Sequence, residues 1–178
     1  VCATRTGCGK SQTSRVVATL LHEAGLQVAL VRHPMPYGGL NEMRVQRFAT
    51  LADIDASNPT VEEREEYEEP VRQGMVMYAG VDYADILAAA EQEADVVIWD
   101  GGNNDLPFYA SDLEIVLVYP HRPRHELTYY PGEANFRRAD VILIGKQDSA
   151  DPAGIAAVRR SAAEINPKAT IVNANMAI

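Results

Sequence analysis

Long apolar runs, cysteines and positive charge are all scarce in this chain. No stretch approaches the roughly 20 consecutive apolar residues that a membrane-crossing helix needs, and no signal-peptide pattern is present, so no membrane partner is expected and the location is expected to be cytoplasmic. There are only two cysteines, Cys2 and Cys8. They have no CxxC spacing and no histidine at metal distance, which argues against a disulfide or a zinc site. Lys and Arg total 16 against 25 Asp and Glu, a formal charge of −9. Nucleic acid requires a broad positive field, so it is not expected as a partner, and any anion site must be locally basic. An initiator Met is also missing, and the chain opens inside an apolar strand pattern. The expectation is a longer polypeptide whose N-terminal domain precedes Val1.

What is present fits one α/β domain: 178 residues, 47% of them hydrophobic, are enough for a full core. A helix is expected over 13–24, stopped by Gly25, followed by a strand over 27–32 that ends at Pro34 and Pro36. Residues 37–74 interrupt this rhythm and read as an insertion. Gly38 and Gly39 open a loop, and Thr60-Val-Glu-Glu63 forms a capping box for an acidic helix, Glu62 to Glu69, ended near Pro70. Its glutamates read as an exposed face. Then come an amphipathic helix over 81–93, a buried strand over 95–100 containing Trp99, and a loop over 101–105. Strands over 113–118, 141–144 and 170–174 alternate with helices over 133–138 and 152–165. The expected architecture is a mostly parallel sheet with helices on both faces and ligands at the carboxyl ends of the strands.

The most informative stretch is Thr4-Arg5-Thr6-Gly7-Cys8-Gly9-Lys10-Ser11, set between an apolar strand and a helical pattern that includes Val16, Val17, Leu20 and Leu21. This reads as a P-loop. Glycines at 7 and 9 allow positive φ, turning backbone N–H groups inward around phosphate oxygens, and a helix N-terminus completes the cradle. Thr6, Gly7, Cys8, Gly9, Lys10, Ser11 and Gln12 are the expected nucleotide-binding residues. Lys10 would meet the β- and γ-phosphates, and the Ser11 hydroxyl would coordinate Mg²⁺. Thr4 stands where GxxxxGK(S/T) has its first glycine. Cys2 reads as core and Cys8 as a small side chain that fits the loop.

Two further signals follow. Asp100 ends a buried strand, as a carboxylate serving the same Mg²⁺ should, and Gly102 would admit backbone close to the γ-phosphate. Gly145-Lys146-Gln147-Asp148 resembles the NKxD base-recognition motif of GTPases, in which the lysine stem covers the purine and the aspartate accepts from guanine. Gly145 in place of asparagine leaves both ATP and GTP open. The Asn173-Ala174-Asn175 backbone is a further candidate base contact. Pro120-His-Arg-Pro-Arg-His125 gathers His121, Arg122, Arg124 and His125 in an acidic chain, with Tyr129, Tyr130, Arg137 and Arg138 close behind. Such arginine forks suit a small phosphorylated or carboxylated substrate. Pro123 disfavours a helix that would bring the two histidines together as metal ligands. Lys10, Asp100 and Arg122 are the catalytic candidates. Arg5 is a second group that could neutralise charge.

TRTGCGKSQTSR (4–15), VVIWDGGNNDLPF (96–108), the 120–148 stretch and EEREEYEEP (62–70) together resemble the nucleotide-binding domain of the cyclic 2,3-diphosphoglycerate synthetase family and its predicted-GTPase relatives, P-loop NTPases. That resemblance implies ATP-driven closure of a phosphoanhydride in a phosphorylated acid. It also implies that Lys10 and Ser11 bind phosphate and magnesium, with Asp100 completing the metal shell and the basic loop facing the substrate. A GTP-gated switch of metallochaperone type and a nucleotide-binding scaffold stay open as alternatives. So does a homo-oligomeric state.

Overall fold

The computed structural model describes residues 1–32, 39–101 and 106–175. Pro34, Pro36, Gly38 and Gly102, and with them the expected strand end and the γ-phosphate approach, lie outside the described residues. The chain divides into two compact units: Val1–Lys10 with Gly101–Ile178, and Ser11–Asp100.

In the first unit, β1 (Cys2–Ala3), β6 (Ile115–Val118), β7 (Val141–Ile144) and β8 (Thr170–Asn173) lie side by side in that order, all parallel. β1, β6 and β7 are continuously apolar, as strands covered on both faces require, whereas β8, Thr170-Ile-Val-Asn173, is polar at both ends and largely exposed. Two helices serve this sheet, α5 (Gly132–Arg138) and α6 (Pro152–Ile165). Asp151 caps α6 by accepting from the Ala153 N–H, and Pro152 occupies the first turn, where its missing N–H costs nothing. Val116, Val118, Phe136, Ile142, Ile144, Val158 and Ala162 form one buried cluster.

The second unit pairs β3 (Gln46–Phe48), β4 (Val76–Ala79), β2 (Val28–Arg32) and β5 (Val96–Asp100) in that order. Only β3 runs antiparallel. Its helices are α1 (Lys10–Glu23, opening on the last residue of the first unit), α2 (Leu51–Ala56), α3 (Val61–Arg72) and α4 (Tyr83–Ala90). Among the described residues no helix is long and apolar enough to cross a membrane.

The mostly parallel α/β class, the capping box at Thr60 and Glu63 and the bounds of β7 and α6 agree with expectation. Several details do not. The acidic helix passes through Pro70 to Arg72, because only the last turn gives up a bond there. β4 and the short helix α2, with its own capping box at Thr50 and Asp53, were not anticipated inside and after the insertion. On α1 the buried face is made of small residues, Thr13, Ser14 and Ala18, while Val16 and Leu20 are exposed. The helix was correctly inferred from those apolar residues, but they do not form its inner face. Trp99 is core, with the Tyr83 ring edge-on at 5.0 Å.

One close approach ties the fold to the opening loop. A Cβ placed on Gly132, at the start of α5, would lie 2.6 Å from the Thr4 carbonyl oxygen. Gly132→Ala is therefore expected to force the Thr4 backbone aside, lowering stability by about 1–3 kcal/mol, the usual overpacking cost. Urea unfolding of the variant beside the parent protein measures this; equal midpoints would contradict it.

Candidate functional site

In the first unit the loop after β1 begins at Thr4, which is buried. Its N–H and its hydroxyl both donate to the Leu117 carbonyl of β6, at 3.0 and 3.2 Å. Thr4 thus anchors the loop at the position where a glycine was expected. Gly7 and Gly9 take φ of +85° and +97°, the conformation that turns successive N–H groups toward one side. A Cβ on Gly7 would meet nothing within 4 Å, so the space beside it is open. α1 starts directly at Lys10 and carries no acidic side chain in its first turn, and a helix N-terminus favours negative charge. These features fit an anion.

Cys8 is buried, consistent with a role in filling the loop. Burial pushes its thiol up from the ordinary value of 9.0, outweighing the Arg5 backbone, the Thr4 side chain and the charges of Arg5 and Lys146, which act the other way. The strand end carrying Gly145 backs onto this loop: a Cβ on Gly145 would lie 3.4 Å from the Cys8 carbonyl oxygen. The absent asparagine therefore does not separate the two segments.

Tyr119, just after β6, organises the basic residues, and nothing but its position at a strand end could have revealed it. The Arg5 guanidinium lies 5.3 Å and the Lys146 ammonium 5.5 Å from its ring centroid, and the His121 ring is 5.0 Å away. Both cations gain from the ring's negative face. Arg5 also donates to His125 Nδ1 at 3.0 Å, which leaves the proton of a neutral imidazole on Nε2. His121 Nε2 pairs with Ser149 Oγ at 3.1 Å. The two histidines thus have different partners, and among the described residues no three His, Cys, Asp or Glu side chains converge as metal ligands. Arg122 and Arg124 are exposed, the latter with φ +77° at the head of a short turn of helix, His125–Leu127. Below them Glu126 is buried, and its carboxylate oxygens have no hydrogen-bond partner among the described residues. Asp148 is exposed. The Asn173 side-chain oxygen is taken by Gln147 at 2.5 Å and Arg159 at 2.7 Å.

The second unit holds Asp100 at the end of β5, 5% exposed. Ser14, one turn after Ser11 on α1, donates to its Oδ1 at 3.0 Å, and Arg32 at the end of β2 donates to its Oδ2 at 2.8 Å. The same Arg32 Nη1 donates to Glu66 of α3 at 2.7 Å, and Arg15 reaches Glu66 at 3.1 Å. Ser14, Arg32 and Glu66 were missed as site residues. The acidic run read as a solvated face, but at Glu66 that reading fails, because the helical turn directs this one carboxylate toward two arginines. With both Asp100 oxygens engaged, a direct metal bond would displace Arg32 or Ser14, whereas a water-mediated one would not.

Residues 72–175, more than half of the chain, match the family described as "Cyclic 2,3-diphosphoglycerate synthetase, P-loop domain". The chain is 60% identical over 174 residues, 98% of its length, to arginine synthetase ArcE of Thermococcus kodakarensis, of which it spans 39%. It is 30% identical over 77 residues, 43% of its length, to the cyclic 2,3-diphosphoglycerate synthetase of the same organism, spanning 18% of that protein. Among solved structures, the hydrogenase maturation factor HypB of Archaeoglobus fulgidus shares the fold at a TM-score of 0.58, with 18% identity over 98% of this chain and 81% of that one.

Because the thiolate of Cys8 is disfavoured and its side chain enclosed, an alkylating reagent should leave it unmodified at neutral pH, and labelling should rise only as pH passes above 9.0. Mass spectrometry of the labelled peptide, with a denatured control, reads this directly; rapid labelling at neutral pH would contradict it. Taken together, the loop geometry and the match over 72–175 place the chain in the cyclic 2,3-diphosphoglycerate synthetase P-loop domain family.

Proposed function

We propose that this chain is the nucleotide-binding part of a Mg²⁺-dependent synthetase that spends the γ-phosphoryl group of ATP or GTP to activate a small acceptor. The observation that carries this reading is the open loop at Gly7 and Gly9 running straight into a helix that starts on Lys10. Amides of residues 6–12 would hold the phosphates, with Lys10 on the β/γ oxygens. Ser11, and Asp100 through water, would hold the metal, which neutralises charge and aligns the transferred group. Lys146 and Asp148 are assigned to the base. His121, Arg122, Arg124 and His125 are assigned to an anionic group of the acceptor, and Arg122 also to the charge that develops in the transition state. The chain spans about two fifths of the length of its 60% identical relative.

The kinship with an arginine synthetase supports an arginine-forming reaction over closure of a phosphoanhydride ring, since that match is twice as identical and covers nearly all of the chain. The chemistry fits phosphoryl transfer. Making a guanidinium group from a ureido carbon replaces one oxygen by nitrogen. Transfer of the γ-phosphoryl group to that oxygen releases the nucleoside diphosphate and creates a leaving group. Ammonia then attacks the carbon, and phosphate departs.

The test uses the full-length protein with ATP or GTP, Mg²⁺ and either a ureido amino acid plus ammonium or 2,3-diphosphoglycerate. Mass spectrometry should detect arginine in the first mixture. Lys10→Ala should lower nucleotide turnover by a factor on the order of 10² or more, the usual cost of removing a charge that stabilises the transition state. Unchanged turnover in that variant would overturn the proposal.

A further inference from the structure

Between Glu114 and Glu133 the chain has a single acid, Glu126. The two acids that flank it in sequence are neutralised, Glu114 by Arg138 and Glu133 by Arg137. Glu126 is not: it is 1% exposed, and neither of its carboxylate oxygens has a hydrogen-bond partner among the described residues. A carboxylate taken out of water and left unpaired costs stability, so its persistence calls for a cation beside it. The turn of helix that carries it, His125–Leu127, brings His125 to Arg5 of the opening loop and packs Leu127 on the apolar cluster of the first unit. Glu126 is thus shielded from bulk water in the same turn as His125, one of the residues assigned to the acceptor.

One carboxylate carries one negative charge, and among the described residues no three His, Cys, Asp or Glu side chains converge. The site therefore suits a monovalent cation and not a divalent metal. Ammonium is the monovalent cation that an arginine-forming reaction consumes, and its N–H groups bond carboxylate oxygens directly. Burial also answers a chemical need. A phosphorylated ureido carbon is open to attack by water, and ammonia competes only where water is kept out. Resting on the arginine-forming reading, we propose that Glu126 binds ammonium in the acceptor site and is the base that frees ammonia from it. One N–H bond of ammonium breaks, its proton passes to a carboxylate oxygen, and the electron pair stays on nitrogen. That nitrogen bonds to carbon as the bond from carbon to the phosphate oxygen breaks, and it gives a second proton to the departing phosphate. Glu126 returns its own proton to solvent when the products leave.

The test measures arginine formation by the full-length protein from ATP or GTP, Mg²⁺ and L-citrulline, the corresponding ureido amino acid, as ammonium chloride is varied. Glu126→Gln keeps the side-chain shape and removes an unpaired buried charge, so it should fold with a urea midpoint no lower than the parent's. It should raise the KM for ammonium at least about tenfold, the loss of one charge-assisted bond, with the KM values for nucleotide and citrulline unchanged. Glu126→Asp, which keeps the charge, should fall between the two. An ammonium KM unchanged by Glu126→Gln overturns the proposal and leaves the reaction standing. Stimulation by potassium chloride at limiting ammonium does the same, because the bound ion would then be a bystander. If the parent protein makes no arginine, the arginine-forming reading falls, and thermal unfolding decides the site. A parent midpoint higher in ammonium chloride than in sodium chloride at equal ionic strength, with no such difference in Glu126→Gln, keeps the cation site; equal parent midpoints remove it.

Discussion

The turn between Thr4 and Lys10 is the constraint on which the rest depends. A loop that presents N–H groups to one side leaves them without protein acceptors, so it needs rigid supports at its edges. Thr4 supplies one with two hydrogen bonds to Leu117, and Gly132 removes the side chain that would otherwise push it out of place. Gly145 behind Cys8 and the Arg5–Tyr119–Lys146 arrangement brace the remainder. Parallel strands β1, β6 and β7 end close to these supports, so the sheet fixes the loop.

The second unit solves a different electrostatic problem. Asp100 is a nearly buried carboxylate, and removing a charge from water is costly unless it is paired and hydrogen-bonded. Ser14 and Arg32 meet that cost, and Glu66 balances the charge of Arg32 from α3. The inserted helix is thereby coupled to the strand-end carboxylate by one arginine. An acidic run that looks merely solvated therefore does three different jobs: Glu63 closes a capping box, Glu66 partners Arg32, and Glu68 pairs with Arg64 and Arg72 on the surface.

How much of this was legible depended on whether the signal was local. The loop at 4–11, the capping box at Thr60 and the apolar runs of β5 and β7 are written in consecutive residues, and pattern alone exposes them. Arg32 and Ser14 matter only through partners dozens of residues away, and Tyr119 gathers Arg5 and Lys146 from distant segments, so little nearby marks them. β4 was missed because Val76-Met-Tyr-Ala79 is a brief apolar run next to an irregular insertion. Val16 and Leu20 mark a helix by their spacing while lying on its exposed side.

The most direct test of the central claim is a crystal structure of the full-length protein with Mg²⁺ and a non-hydrolysable ATP or GTP analogue. The account predicts β- and γ-phosphate oxygens within about 2.7–3.2 Å of the backbone nitrogens of residues 7–11, with the Lys10 ammonium on the same oxygens and the metal on Ser11. A polyphosphate seated elsewhere, or Lys10 turned away from it, would contradict the account.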